Sequence, residues 1–309
     1  MIVYPINFNP SSDSGPNSFT KKLFSTINKK KEISFTGLQE SADLEFCLIE
    51  SNIEKIKPRI TRLDGIYFNT AQDYNILNSN IRKNYFDSDC VIFQTFFNKR
   101  LIEKWFGEHP CSDVILNGSD RESISNIEKA TFDNMFKDKK VWSCASSWRP
   151  HKRLSENLRY FISCADKDTV MLVAGKGATK DDFLGYEKYI NDRIFYLGHL
   201  KWEALISLYK ASEKFIHLSY IDHCPNVVVD AAESGCEIVC SSTGGTSEIE
   251  AYRKTVIIED EWDLSPIDLY NPPKMNFSNF KKIKSDKVKT LEESALRYLK
   301  NMEKLIEKS

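Results

Sequence analysis

The sequence predicts an α/β protein built on two parallel sheets, and three observations lead there. Short apolar runs recur along its 309 residues, continuous rather than alternating, as in strands buried on both faces. Stretches of helical period fill many of the gaps, as crossover helices do between parallel strands. Eleven such runs are many for one open sheet, and the chain is long enough for two medium cores.

The first five runs are "IVYPI" (2–6), "LEFCLI" (44–49), "RITRL" (59–63), "CVIFQ" (90–94) and "DVILN" (113–117). Six more follow: "VWSCAS" (141–146), "TVMLVAG" (169–175), "RIFYLG" (193–198), "KFIHLS" (214–219), "EIVCSS" (237–242) and "TVIIE" (255–259). Helical periodicity covers 69–87, 153–164 and 202–211. The charged, helix-poor stretch "DRESISNIEKATFDNMFKDKK" (120–140) reads as a seam, with the boundary near 135. The expected division is 1–135, 136–280 and a C-terminal helix, 281–309. That helix is amphipathic, with Leu291, Leu296, Leu299 and Met302 near one face, which docks on a sheet.

Composition narrows the classes. A formal charge of −1 argues against a dedicated nucleic-acid binder, which carries a basic excess or stripe. The densest basic run, "KKK" at 29–31, reads first as a solvated helix end and second as a patch for anionic lipid. The opening "MIVYPINFNPSSDSG" has no charged leader, so no signal peptide is expected, and no apolar run is long enough to span a bilayer. The eight cysteines form no C-x-x-C pair, and several lie in strand-like runs. They read as reduced core residues of a cytoplasmic protein, with no zinc site. The sequons at Asn117 and Asn276 are then chance matches.

Chemistry concentrates in "SYIDHCPNVVVDAAESG" (219–235). Asp222 stands in a loop beyond the carboxyl end of a strand, where open parallel sheets bind ligands. Pro225 suits the first turn of a helix and Gly235 its C′ position. Asp230 lies inside that helix, whose start offers free N–H groups to an anion. A simple capping role for Asp222 and a surface role for Asp230 fit the spacing equally well. "SSWRPHKRL" (146–154) gathers Arg149, Lys152 and Arg153 after another strand. Arg offers forked hydrogen bonds to phosphate and Lys a point charge. A basic loop and an amide-rich helix start at the same end of one sheet suit one diphosphate ligand.

These segments resemble the retaining glycosyltransferases of family 4 (glycosyl transferases group 1). "SSWRPHKRL" resembles the family's Gly-Arg-x-x-x-x-Lys-Gly segment, and "LVAGKG" (172–177) its strand–glycine turn. "FYLGHLKWEALISLYKASEKFIHLS" and "IDHCPNVVVDAAESGCEIVCSSTGGTSEI" resemble the strand leading to the site and the acid-x7-acid segment with its Gly-Gly turn. "VILNGSD", "RITRLDGIYFN" and "SSDSGPNSFTKKL" resemble N-terminal-domain segments, so the likeness covers about residues 1–260. The family's acid pair is normally Glu; here both are Asp, each one methylene shorter. His109, in "GEHPC", is the only histidine before 151 and reads as part of a surface turn.

The resemblance implies the GT-B architecture, two Rossmann-like domains with parallel sheets facing across a cleft. It implies transfer of a sugar from a nucleotide-sugar to an unidentified acceptor, with retention and without a metal or other cofactor. Arg149 and Lys152 would bind the diphosphate, Asp222 the donor sugar and Asp230 the ribose. Gly15, Gly175, Leu200, His223, Cys224, Pro225 and Asn226 would complete the donor site. Asp64 is the candidate for an acceptor contact or proton relay, with capping of the turn before Gly65 as its plainer role. The acceptor would be a carbohydrate, a lipid-linked molecule or another hydroxyl, reached in the cytoplasm or at a membrane surface. A nucleotide-sugar 2-epimerase and a non-catalytic nucleotide-sugar-binding protein are the alternatives.

Overall fold

The computed structural model describes residues 1–12, 14–132, 136 and 138–308. The chain splits into two compact units. The first is Met1–Asp120 with Asp263–Ile267 and Lys289–Ser309; the second is Arg121–Trp262 with Asp268–Val288.

The first unit holds β1 (Ile2–Ile6), β2 (Ser34–Phe35), β3 (Leu44–Leu48), β4 (Arg59–Leu63), β5 (Cys90–Phe93) and β6 (Ser112–Val114). They form one sheet in the order β2-β1-β3-β4-β5-β6, parallel throughout. The second unit holds β7 (Lys140–Ala145), β8 (Thr169–Ala174), β9 (Ile194–Gly198), β10 (Lys214–His217), β11 (Glu237–Ser241), β12 (Arg253–Ile257) and β13 (Phe280–Lys284). Their order is β13-β12-β11-β10-β7-β8-β9, and only β13 runs antiparallel.

All eleven apolar runs are strands. The two strands without such a run, β2 and β13, lie at sheet edges and are largely exposed. An edge needs no buried face, and the three lysines of "FKKIK" suit one that must resist pairing with other chains.

The helices are α1 (Gly15–Asn28), α2 (Tyr74–Leu77), α3 (Ser79–Asp87), α4 (Phe96–Phe106), α5 (Arg121–Ser125), α6 (Leu154–Cys164), α7 (Trp202–Ala211), α8 (Asn226–Glu233) and α9 (Leu291–Ile306). The expected helix at 69–87 starts later, at Tyr74, and is broken at Asn78, whose side chain bonds both backbone groups of Tyr67.

Four expectations change. The boundary near 135 lies outside the described residues, and the units divide between Asp120 and Arg121. The reason is packing: Ile124 joins the second unit's core, and Arg121 pairs with Glu233 of α8 at 2.7 Å. The segment 281–309 is not one piece, because β13 completes the second sheet whereas α9 belongs to the first unit. On α9 the buried face is Leu291, Ala295, Tyr298, Met302 and Leu305, while Leu296 is 51% exposed. That face meets α1 and the first sheet around Phe19, Leu23 and Phe46. His109 is not in a surface turn either. It is buried, with Nδ1 accepting from the Cys111 amide at 3.1 Å and Nε2 facing the Ser88 carbonyl at 3.1 Å. None of the eight cysteines is in a disulfide; six are buried, Cys111 is half-buried and Cys164 exposed.

Met302 is fully buried between α9 and the first sheet. Met302→Ala should therefore destabilise the first unit by about 2–5 kcal/mol, through lost burial and the cavity left behind. Urea unfolding of the variant checks this, and a midpoint equal to the parent's would mean that α9 does not hold the core.

Candidate functional site

Chain order and strand order together place the site. From β7 the chain steps outward to β8 and β9, then returns to the other side of β7 as β10 and proceeds to β11 and β12. The loops after β7 and β10 therefore leave in opposite directions, and a crevice opens between them at the strands' carboxyl ends. The pairing shows the opening. β10 registers with β7 only at Lys214↔Trp142 and Phe215↔Ser143, whereas β7 and β8 pair along six residues.

Side chains and backbone span the gap. Asn157 Oδ1 accepts from the Leu218 amide at 3.2 Å, and its Nδ2 donates to the carbonyls of Arg153 at 2.6 Å and Lys152 at 3.3 Å. The Tyr220 amide donates to the His151 carbonyl at 2.7 Å. The loop after β7 is thus tied to the loop after β10.

Lys152 and Asp222 meet in this crevice. Lys152 Nζ donates to Asp222 Oδ2 at 2.5 Å, across 70 residues of sequence. His217, the last residue of β10, places Nε2 2.9 Å from the same oxygen, and Ser219 Oγ lies 2.9 Å from that Nε2. Asp222 Oδ1 accepts from the His223 amide at 3.0 Å. Burial pushes the Asp222 carboxyl up, but Lys152 and His217 beside it outweigh this and hold it well below the usual carboxylate range. Burial lowers the His217 imidazole against the pull of Asp222. It also lowers His151 to about 3 and His223 to about 4. Three of the five histidines thus surround this ion pair in neutral form.

The loop carrying Asp222 is held in an uncommon shape. Ile221, a β-branched residue, has φ 53°, a conformation that persists only where the surroundings impose it. The Gly-Gly turn imposes it: the Gly245 amide donates to the Asp222 carbonyl at 2.7 Å. A Cβ on Gly244, whose φ is +77°, would stand 2.4 Å from that oxygen. Gly175 plays the same part after β8. Its φ is +117°, and a Cβ there would meet the Ser146 carbonyl oxygen at 1.8 Å. The glycine turns thus let neighbouring loops touch backbone to backbone.

The other site residues take varied places. Arg149 is exposed, and its side chain makes no hydrogen bond or ion pair among the described residues. It lines a pocket of about 700 Å³ with Trp148, Ser155, Gly177 and Lys274. Arg153 cannot serve as a third free cation. It is buried, paired with Glu259 at 2.9 Å and bonded to the Pro273 carbonyl at 2.7 Å. Pro225 is the N-cap of α8 rather than a first-turn residue, so Asn226 opens the helix, with Cys224 buried just before the cap. Gly235, at φ 96°, follows the helix as expected. Asp230 is a buried helix residue and not a surface acid: Trp202 Nε1 donates to its Oδ2 at 2.8 Å. Leu200 is half-buried and packs on the core beside Trp202.

Gly15 and Asp64 lie in the first unit. Gly15 opens α1. Asp64 does not cap the turn before Gly65; its Oδ2 accepts from Arg62 Nη1 at 2.8 Å. Burial raises the Asp64 carboxyl, against the pull of Arg62 and a stabilising contact from Gln94. Arg62 lies over the Phe19 ring and also donates to Asn117 Oδ1 at 3.2 Å.

His151, His217, Ser219 and Asn157 are site residues that the sequence reading passed over. The signal for His217 was present: a histidine ends an otherwise apolar strand, five residues before the acid. Nothing in the local pattern marks Asn157, which lies within the amphipathic helix α6.

The sequence model of the glycosyl transferases group 1 family matches residues 126–264, the stretch from before β7 to beyond β12. No curated protein matches the chain. Among solved structures it is similar to a sucrose-phosphate synthase from Thermosynechococcus elongatus, with TM-score 0.72 and 12% identity over 100% of both chains. It is similar to AviGT4, a glycosyltransferase involved in avilamycin A biosynthesis, with TM-score 0.62 and 14% identity over 100% of this chain and 99% of that one. Anabaena HepE in complex with UDP-glucose aligns with TM-score 0.57 and 14% identity over 99% and 92%. At such identities the likeness is one of fold, and the fold is the GT-B architecture of two parallel-sheet domains.

The neutral histidines give stability a pH dependence. Above about 6.5, the unperturbed histidine pKa, neither state binds the proton and His151 has no effect. As pH falls below that, the unfolded chain takes up a proton that the native chain refuses until about 3. Stability should then fall with pH by about 1.4 kcal/mol per unit for His151 alone. Asp222 adds its loss only at lower pH, below its ordinary value of 3.8. Thermal unfolding at pH 7 and pH 5 should show the fall, reduced in His151→Phe. An equal fall in parent and variant would mean that His151 is not held neutral.

Proposed function

We propose that this chain is a glycosyltransferase, moving a sugar from a nucleotide-sugar to a hydroxyl acceptor. One observation carries the reading. The crevice at the switch point of the second sheet joins Lys152 to Asp222; the loop after β7 that carries Lys152 also carries the exposed Arg149, and the loop that carries Asp222 leads into the start of α8. That is a place for a diphosphate flanked by an acid suited to hydroxyl groups. The family match over 126–264 supports the same reading.

Arg149 and Lys152 bind the diphosphate. Their larger contribution comes as the glycosidic bond breaks, when charge grows on the leaving phosphate. No metal is needed for this, because the two cations stabilise that charge. Asp222 faces the donor sugar, with the backbone of His223, Cys224, Pro225 and Asn226 beside it. Asp230, oriented by Trp202, takes ribose hydroxyls, and Gly175 and Leu200 shape the base end. The reaction retains anomeric configuration. The acceptor oxygen bonds the anomeric carbon on the face from which the diphosphate leaves. The electron pair of the broken bond goes to the phosphate oxygen, and the leaving phosphate takes the acceptor's proton. Gly15 completes the donor site, and Asp64 is an acceptor contact or the relay that passes the acceptor's proton to the leaving phosphate. The acceptor is a carbohydrate or another hydroxyl compound, free or lipid-linked.

A thermal-shift screen tests the donor class, since a ligand that binds only the folded chain raises its apparent stability. The panel is UDP-glucose, UDP-galactose, GDP-mannose and the free diphosphates UDP and GDP. At least one should raise the melting temperature. Arg149→Ala or Lys152→Ala should weaken binding of the selected diphosphate about ten- to hundredfold, as loss of a hydrogen bond to a charged group does. Calorimetry that finds both variants binding like the parent would exclude these two cations from the site.

A further inference from the structure

We propose that His217 is a positioning residue of the donor site: its imidazole holds the Asp222 carboxylate against the Lys152 ammonium. The inference rests on the donor-site reading above. It begins with how unevenly the carboxylate is loaded. Among the described residues, Oδ2 takes both Lys152 and His217, and Oδ1 takes only the amide of the next residue. Two donors on one oxygen draw the acid back toward the strand end.

The donor from below is rigid. His217 ends β10 and is 3% exposed. Its ring lies nearly parallel to that of Phe215, at 13° and 6.3 Å between centroids. Ser219 Oγ stands 2.9 Å from the same Nε2. An aspartate accepts and cannot donate here, so Nε2 carries the hydrogen. The neutral ring supplies that hydrogen bond without adding a second cation, which leaves Lys152 and Asp222 as a balanced pair in a buried place.

The consequence concerns a short acid. An aspartate in place of a glutamate has one methylene less with which to reach a ligand, so its orientation must be preset. Side chains that contact no substrate but fix one that does have this effect at preorganised sites. Without the ring, Asp222 keeps Lys152 but loses its fixed direction, and the ammonium loses its own with it.

Two measurements test the inference. In the first, His217→Ala should lower kcat for the sugar nucleotide selected above about tenfold or more, with its KM little changed. His217→Gln, whose amide N–H reaches a similar place, should recover most of the loss. In Asp222→Asn the further change His217→Ala should cost little, because the two residues act as a unit. Parent-like kcat in His217→Ala, no recovery with Gln, or full multiplication of the two losses would each overturn the role.

The second measurement needs no turnover. Nitrogen-15 NMR of the labelled histidines should find His217 protonated on Nε2, with that resonance shifted in Asp222→Asn. A proton on Nδ1, or no response to Asp222→Asn, would overturn the inference. A parent chain that turns over no sugar nucleotide defeats the functional reading, and the NMR result still decides whether His217 holds Asp222.

Discussion

Strands β7 and β10 run side by side for two residue pairs and then part, and the site of the second unit depends on that parting. It follows from strand order alone, because the chain builds outward on one side of β7 before returning to the other. Where the strands separate, backbone groups that would have paired need other partners. Asn157 serves the Leu218 amide, and the His151 carbonyl serves the Tyr220 amide. The same connections bring Lys152 to Asp222. A residue as plain as an asparagine on α6 is therefore part of what makes the crevice both open and ordered.

The ion pair in that crevice is mostly removed from water, with side-chain exposures of 15% and 13%. A buried pair is stable only when its remaining hydrogen-bonding capacity is also met. Asp222 meets it with His217 and the His223 amide. Neutral histidines are suited to such surroundings, since they offer hydrogen bonds without further charge. Arg149, by contrast, is exposed and makes no side-chain hydrogen bond or ion pair among the described residues.

Much of this was legible from the sequence because it rests on burial. Runs such as "TVMLVAG" and "EIVCSS" are apolar throughout because both faces of a parallel strand are covered, and each proved to be a strand. Strands β2 and β13 were not legible because edges carry no such requirement. Leu296 misled because it is apolar yet one residue off the stripe that Ala295, Tyr298 and Met302 define. In the site, "SSWRPHKRL" and Asp222 were visible as charges at loop positions, and Asp230 as an acid inside the helix that follows. The separation of Arg149 from Arg153 was not, since the partner of Arg153, Glu259, lies 106 residues away. The roles of Asn157 and His217 depend on contacts between distant loops, which local pattern does not encode.

Ile221 places a branched side chain where the backbone favours glycine, at a cost on the order of 1–3 kcal/mol. Ile49 does the same in the first unit, at φ 67°, just beyond β3 and directly before Glu50. In each sheet, then, an isoleucine in the left-handed region precedes an acid at the carboxyl end of a strand beside the reversal in strand order. At these two codons the demands of folding and of placement diverge. Glycine would relax the backbone and enlarge the freedom of the acid that follows. A search for thermostable descendants of this chain would be drawn to positions 49 and 221, where added stability and retained geometry are opposing choices.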